Sequence, residues 1–148
     1  TLLLTLSCAG AQERDSLSEA YEDLVVCMGD PSIPFEKRVQ ASRMLGLGDR
    51  EVIPVLIAHL DDARPYNPSY REVSETADAD REVPSRVLTV GEQCRSLLYT
   101  KVFGTVRVPK RARVADWLAW WVRNKDRSLS EIQDEAKRAM AEATGTEK

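Results

Sequence analysis

His59 is the only histidine among the 148 residues, so it is the first candidate for proton-transfer chemistry. Its neighbours Asp61 and Asp62 are most simply explained as the polar end of a helix, whereas Asp78 and Asp80 lie in a later polar segment. One hypothesis is therefore an enzyme of unspecified reaction that combines His59 with Asp78 or Asp80. On a helical wheel, however, His59 lies at the edge of an apolar face. That position favours a packed histidine whose ring is hydrogen-bonded to a neighbouring carbonyl group.

The number and spacing of the cysteines limit what their thiols could do. Cys27 and Cys94 lie in predicted helices, and they could form a disulfide in an oxidising compartment if their Cα atoms come within about 7 Å. With His59 they supply at most three zinc ligands without a recognisable spacing, so neither a metal site nor a cofactor is predicted. A cysteine nucleophile needs an adjacent base in an electropositive setting, and the sequence indicates neither.

Two helices joined by a tight turn must position the histidine. Apolar residues recur at helical spacing over Phe35–Leu47 without an interrupting proline, which predicts the first helix. Gly46, Gly48 and Asp49 then predict its end, since glycine supplies the positive φ that ends a helix, and Asp49 is expected to cap the second helix with its carboxylate. The second helix, over residues 51–60, has one broad apolar face. Both helices therefore need neighbours that cover their apolar surfaces.

The run KRVQASRMLGLGDREVIPVLIAHLDD, which covers this helix pair, resembles one HEAT-type repeat. It has a basic, alanine-containing first helix, an LG-x-GD turn, an IP-x-LI second helix and a closing L-D-D, and it spans about one repeat of the roughly 40-residue class. The resemblance implies an all-α, armadillo-type α-α superhelix of HEAT-like helical hairpins in one small domain. It also implies a protein-binding scaffold, and short versions of such repeats occur in exported bacterial proteins of unassigned role.

Further helices are predicted on both sides of this pair. Three of them begin at capping boxes, in which a hydroxyl and a glutamate three residues later bind each other's backbone amides. The three capping boxes are Ser16 with Glu19, Thr89 with Glu92, and Ser128 with Glu131. The helix that begins at Thr89 is expected to end near Gly104 and is interpreted as the surviving half of a second repeat.

A helix predicted over residues 110–125 carries all three tryptophans of the chain. Its apolar side chains are expected to face the core together, with Trp120 at the rim of that face. The residues of the predicted inner face are Val114, Trp117, Leu118, Trp121 and Val122. A tryptophan at a rim either packs helices together or anchors an interface, and Trp120 is predicted here as a binding residue.

The same region suggests an alternative function in nucleic-acid binding. A basic run precedes the tryptophans, so segment 107–121 combines phosphate-binding cations with rings on which bases could stack. The basic residues are Arg107, Lys110, Arg111 and Arg113. DNA glycosylases built from HEAT-like repeats have such surfaces, but they need a concave basic face across many repeats. The net charge of -3 and the pI near 5.3 argue against nucleic acid as the main partner.

Segment 63–88 is predicted as a long irregular loop, because it contains several prolines, no glycine and few aliphatic residues. Tyr66 and Tyr70 lie near its start, beside Arg64. These side chains could hold the segment against the helices or present a binding surface, and they are predicted as binding residues together with Trp120. Acidic residues alternate later in the segment, but a calcium loop also needs a glycine and a distal glutamate. A solvated acidic segment is therefore favoured.

The N-terminal residues suggest export from the cytoplasm. Residues 1–6 resemble the end of an apolar signal region, and Ala9-Gly10-Ala11 fits a cleavage site. Alternatively, Leu6-Ser7-Cys8 resembles a lipobox, in which Cys8 would be lipidated. Residues 1–11 are therefore interpreted as the remnant of a signal, and residues 12–148 as the helical domain. No segment approaches the 18 or so apolar residues of a membrane span, so the predicted membrane contact is a lipid anchor.

Composition and motifs together favour a binding function. Hydrophobic residues make up 43% and charged residues 30% of the chain, an ordinary composition for a soluble protein. The leading hypothesis is a non-catalytic, extracytoplasmic module on a HEAT-like scaffold that binds another protein through segment 63–88 and Trp120. The enzyme that uses His59 and the nucleic-acid binder are its alternatives.

Overall fold

The computed structural model describes the backbone of residues 5–70, 86–104 and 113–145, and the side chains of residues 16–67, 87–104 and 113–139. These residues form six helices and one small antiparallel sheet. The elements are α1 (Thr5–Gly29), α2 (Phe35–Leu47), α3 (Val52–Ala58), β1 (Pro65–Tyr70), β2 (Arg86–Thr89), α4 (Val90–Phe103), α5 (Val114–Asn124) and α6 (Leu129–Gly145). The all-α prediction is confirmed, and the sheet is an addition to it.

Helix α1 begins earlier than its capping box predicted. It starts at Thr5 and continues through Ser16 without a break, because the residues in between include good helix formers and no proline. The helix therefore also crosses the predicted boundary after residue 11. Cys8 lies in α1, but its side chain is outside the described ones, so its lipidation stays a prediction. In the part of the chain that the structure describes, no helix combines the length and the apolar character needed to cross a membrane.

Helix α2 has the predicted bounds, but the turn that follows it differs from the prediction. Gly48 has a φ of −56°, so it does not end the helix by a left-handed conformation. Its small size is needed instead, because a Cβ atom there would lie 3.0 Å from the ring of Tyr21. The carbonyl of Asp49, rather than its carboxylate, accepts the N–H of Val52 at the start of α3. The left-handed glycine is Gly104, which ends α4 as predicted, with φ 67°.

The helices pack in a regular order along the chain. Each helix from α1 to α4 contacts the helix two places later: α1 packs on α3, α2 on α4, α3 on α5, and α4 on α6. The core lies between these layers and includes Val25, Leu45, Leu56 and Leu98, which are fully buried. The apolar face of each of these helices is thus covered in part by a helix that does not adjoin it in sequence.

Segment 63–88 is not irregular at its ends, which corrects the prediction of a loop. Strands β1 and β2 pair in antiparallel fashion, with Pro65 opposite Thr89 and Asn67 opposite Leu88. The ladder continues into the helices, because the N–H of Gly91 donates to the carbonyl of Asp62 at 2.9 Å. The strands could not be predicted because their paired residues are 16 to 24 positions apart and their sequences lack the alternation of a half-buried strand. The acidic residues at 78, 80 and 82 lie outside the described residues.

Two of the three predicted capping boxes form as expected. At α4, the N–H of Glu92 donates to the hydroxyl of Thr89 at 3.2 Å, and its carboxylate accepts the N–H of Thr89 at 2.9 Å. Ser128 and Glu131 make the equivalent pair at the start of α6. A second kind of cap ties helices together, because the Lys101 amine on α4 donates to the carbonyls of Gly46 and Gly48 at the end of α2.

Candidate functional site

His59 lies at the end of α3 and faces two carboxylates rather than a carbonyl group. Its Nε2 is 2.6 Å from Oε2 of Glu22 on α1, and its Nδ1 is 3.5 Å from Oδ2 of Asp62. The ring is mostly buried, as expected for a packed histidine, but the predicted hydrogen-bond partner is wrong. The reason is that α1 packs on α3, a contact between distant segments that periodicity does not show.

Arg64 extends this group of charges. Its Nε lies 3.0 Å from both carboxylate oxygens of Asp62, and its Nη2 lies 2.6 Å from Oδ2. The hydrogen bonds from Arg64, with a smaller contribution from His59, lower the pKa of Asp62 below its ordinary value. The guanidinium also covers Gly29, where a Cβ atom would lie 2.7 Å from its Cζ. Arg64, predicted as a binding residue, is thus engaged in an internal ion pair.

We call Glu22, His59, Asp62 and Arg64 the charged cluster. Basic and acidic side chains alternate along it, and their contacts are suited to holding α1 and the α3–β1 turn together. Among the described side chains, no group of three or more His, Cys, Asp and Glu residues is arranged to hold a metal ion.

The Cys94 thiol interacts electrostatically with Glu22, Asp62 and Arg64 of the charged cluster. It is nevertheless poorly suited to nucleophilic attack. It is fully buried in the core on α4. Burial, and to a lesser extent the charge of Asp62, raises the pKa of the Cys94 thiol to about 12. The thiolate is the reactive form of cysteine, so this thiol is inert at neutral pH. Cys27 and Cys94 carry free thiols in the structure, and the disulfide between them stays a prediction.

Cys94 should make the folded state lose stability in alkaline solution. Its pKa is raised from 9.0 to about 12, so the folded state holds this proton more tightly than the unfolded chain does. The resulting stability is complete below pH 9 and is lost as the pH rises toward 12, at up to about 1.4 kcal/mol per pH unit. Urea unfolding should therefore give a smaller difference in the free energy of unfolding between Cys94→Ala and wild type at pH 10 than at pH 7. If the difference were equal at both pH values, burial would not raise the pKa of the Cys94 thiol.

The tryptophans of α5 form an aromatic cluster with α4. Trp117 is buried and meets the Tyr99 ring edge-on, with centroids 5.2 Å apart. Trp120 meets Trp117 in the same way at 5.3 Å and is half-buried. Trp121 is also half-buried and lies 6.3 Å from Trp120. The prediction that Trp117 belongs to the core is confirmed, and Trp120 packs at the edge of that core.

Two residues of the predicted inner face of α5 are exposed instead. Leu118 and Val122 were expected to be buried, but they are 49% and 66% exposed. Asn124 points inward instead, because its amide donates to the carbonyl of Trp120 at 2.8 Å and its Oδ1 accepts from Arg127. A prediction based on hydrophobicity treats asparagine as exposed. It therefore placed the buried face of α5 too far toward Leu118 and Val122. Leu118, Trp121 and Val122 form what we call the α5 outer strip.

The tyrosines at the start of segment 63–88 have different outcomes. Tyr66 is only 6% exposed and packs on Phe35, with ring centroids 6.0 Å apart. This placement supports the interpretation that Tyr66 holds the segment against the helices. Tyr70 lies in β1, but its side chain is outside those that the structure describes, so its binding role stays a prediction. The basic residues at 107, 110 and 111 likewise fall outside the described ranges.

Arg38 is a structural residue that sequence reasoning missed. It is buried, and its Nη1 donates to the carbonyls of Pro65 at 3.2 Å and of Met28 at 3.5 Å, near the end of α1. Its guanidinium also lies over the ring of Phe35. A cation is favoured near the carbonyl end of a helix, which helps to offset the cost of burying this charge. Backbone carbonyls carry no sequence signature, so no signal in the sequence could have found these partners.

Comparison with known proteins adds no assignment. No family model matches the chain, and neither the curated proteins nor the solved structures contain a match. The HEAT-type resemblance therefore stays a prediction.

Proposed function

We propose that the protein is a non-catalytic, extracytoplasmic interaction module that binds another protein on a HEAT-like helical scaffold. The observation that supports this best is the α5 outer strip. Leu118 and Val122 are one turn apart on the same side of α5, and both expose a large part of an aliphatic side chain. Trp121 lies beside them and continues the strip to the aromatic cluster.

The setting of the strip suits an interface. Aromatic anchors beside aliphatic residues, over a rigid support, are the features of surfaces on which a few residues carry most of the binding energy. The support here is the packing of Trp117 against Tyr99 and Phe103, which fixes α5 on α4. Trp120, the anchor predicted from the sequence, packs on Trp117 and Trp121 in the same cluster and remains a second candidate for contact.

The chemistry of the expected partner follows from the strip and from the net charge. An apolar strip of this size fits an apolar groove or helix of another protein. The net charge of -3 gives no general attraction to nucleic acid, which disfavours the nucleic-acid alternative. The catalytic alternative gains no support from the described residues, because His59 contacts Glu22 and Asp62, whereas Asp78 and Asp80 lie outside the described ranges.

The proposal predicts that a charge on the strip abolishes binding without unfolding the protein. In-cell crosslinking followed by affinity enrichment should recover a partner with wild type, and Leu118→Asp should reduce that recovery by at least about tenfold, since burying an unpaired charge costs several kcal/mol. The melting temperature should change little, because the side chain is half-exposed.

The matched control is Leu47→Asp, which places the same charge on α2 at a residue that is 87% exposed. Recovery with this variant should stay within about twofold of wild type, as surface substitutions away from an interface cost little. Equal loss with both variants would indicate a general charge effect, and no loss with Leu118→Asp would exclude the α5 outer strip as the interface.

A further inference from the structure

The two ring nitrogens of His59 face carboxylates on two different elements. Nε2 lies 2.6 Å from Glu22 on α1, and Nδ1 lies 3.5 Å from Asp62 in the turn that leads to β1. A protonated imidazole has two N–H donors, whereas a neutral imidazole has one donor and one acceptor. Only the protonated ring can therefore donate to both carboxylates at once.

Charged side chains from two elements surround the ring. Glu22 on α1 and Asp62 in the turn are acidic, and Arg64 is the basic group that faces Asp62. Two carboxylates and one guanidinium leave one negative charge, which a proton on His59 cancels. From α4, Cys94 is the titratable group whose charge interacts with Glu22, Asp62 and Arg64, and its thiol is uncharged at neutral pH.

When His59 loses a proton, its contact with Asp62 should weaken, whereas its contact with Glu22 should remain. The shorter contact is with Glu22, so a neutral ring is expected to keep its hydrogen on Nε2 and to present the lone pair of Nδ1 to an oxygen of Asp62. Two acceptors at that distance repel each other. The turn that contains Asp62 leads into β1, and it is also bound to the first turn of α4, because the carbonyl of Asp62 accepts the N–H of Gly91.

We propose that His59 is a proton-dependent clamp between α1 and the α3–β1 turn. The protonated ring joins Glu22 to Asp62 through its two N–H groups, and the loss of one proton releases the Asp62 side. The clamp sets how firmly the base of the β1–β2 hairpin is held to α1. It does not depend on the proposed binding function, because it rests only on contacts within the charged cluster.

The clamp predicts a pH-dependent cost for removing the charge of Glu22. Relative to wild type, Glu22→Gln should lose roughly 3 °C more in melting temperature at pH 5.5 than at pH 8.5, the shift expected for about 1 kcal/mol in a domain of this size. Glu19→Gln is the matched control: it is the same substitution on the same helix at an exposed residue. Its melting temperature should differ from that of wild type by the same amount at both pH values.

An equal loss for Glu22→Gln at both pH values would overturn the proposal, since Glu22 would then act without the proton on His59. His59→Gln gives a second test, because it removes the titrating ring. In the His59→Gln protein, the cost of Glu22→Gln should be the same at pH 5.5 and at pH 8.5. A cost that still depends on pH without the ring would also overturn the clamp.

Nuclear magnetic resonance can observe the proton directly, because the chain has one histidine and its ring signals need no assignment. At pH 9 the ring should carry its hydrogen on Nε2, and the amide signal of Gly91 should shift over the same pH range as the ring. A hydrogen on Nδ1 at pH 9, or a Gly91 signal that ignores the titration of the ring, would contradict the mechanism.

Discussion

Replacement of Gly91 by alanine should lower the free energy of unfolding by about 3 kcal/mol, the upper part of the range for overpacking. A Cβ atom at this position would lie 2.5 Å from the carbonyl oxygen of Leu60 and 2.9 Å from the nitrogen of Asp62. Both are backbone atoms of the turn after α3, so no side chain can rotate to make room. Urea unfolding followed by circular dichroism would measure the loss.

Gly46→Ala is the matched control, because it adds the same methyl group inside α2. That Cβ atom would meet only the Leu97 side chain, at an ordinary contact distance of 3.4 Å. Alanine also favours a helix over glycine by up to about 1 kcal/mol. The control should therefore be neutral or stabilising. If Gly91→Ala were equally harmless, α4 would have to lie farther from the turn than it does in this structure.

Trp117→Ala should be the most destabilising change on α5, with a loss of about 4 kcal/mol in the free energy of unfolding. Trp117 is 4% exposed and is in ring contact with Tyr99, Phe103 and Trp120. Its removal leaves a cavity between α4 and α5 that these neighbouring rings can fill only in part. Thermal and urea unfolding would both report the loss.

Leu118→Ala provides the comparison, because it alters the next residue along the same helix. Half of that side chain is already in solvent, so its truncation should cost less than about 1 kcal/mol. The expectation from the sequence placed both residues on the buried face. Equal losses for the two variants would restore that orientation of α5 and would remove Leu118 from the proposed interface.

The features that could be predicted from the sequence are those whose causes lie within one or two turns of chain. The bounds of α2 and the capping boxes at Thr89 and Ser128 depend on residues at most four positions apart, so their signals are complete in the sequence. Ser16 shows the limit of such signals. A capping box marks the start of a helix only when the preceding residues are not helical themselves, and here α1 already runs through it.

The features that could not be predicted depend on segments that meet only in the folded chain. Glu22 reaches His59 across 37 residues, and Gln93 on α4 donates to Ser42 on α2 across 51. The periodicity of one helix shows that it has a buried face, but it does not identify the helix that covers it. The candidate site was thus found in part, as a packed histidine, while its acidic partner on α1 could not be found.

The pairing of β1 with β2 also makes one position in the chain tolerant of change. The ladder pairs Tyr70 with Arg86, so the two strand residues that the connecting segment must join lie close together. Closing a connection between such ends costs little extra entropy as it grows, about 0.6 kcal/mol for each doubling of its length. Insertions and exchanges of sequence in this segment should therefore leave the helices intact, which would allow related chains to diversify there and an engineered peptide to be displayed.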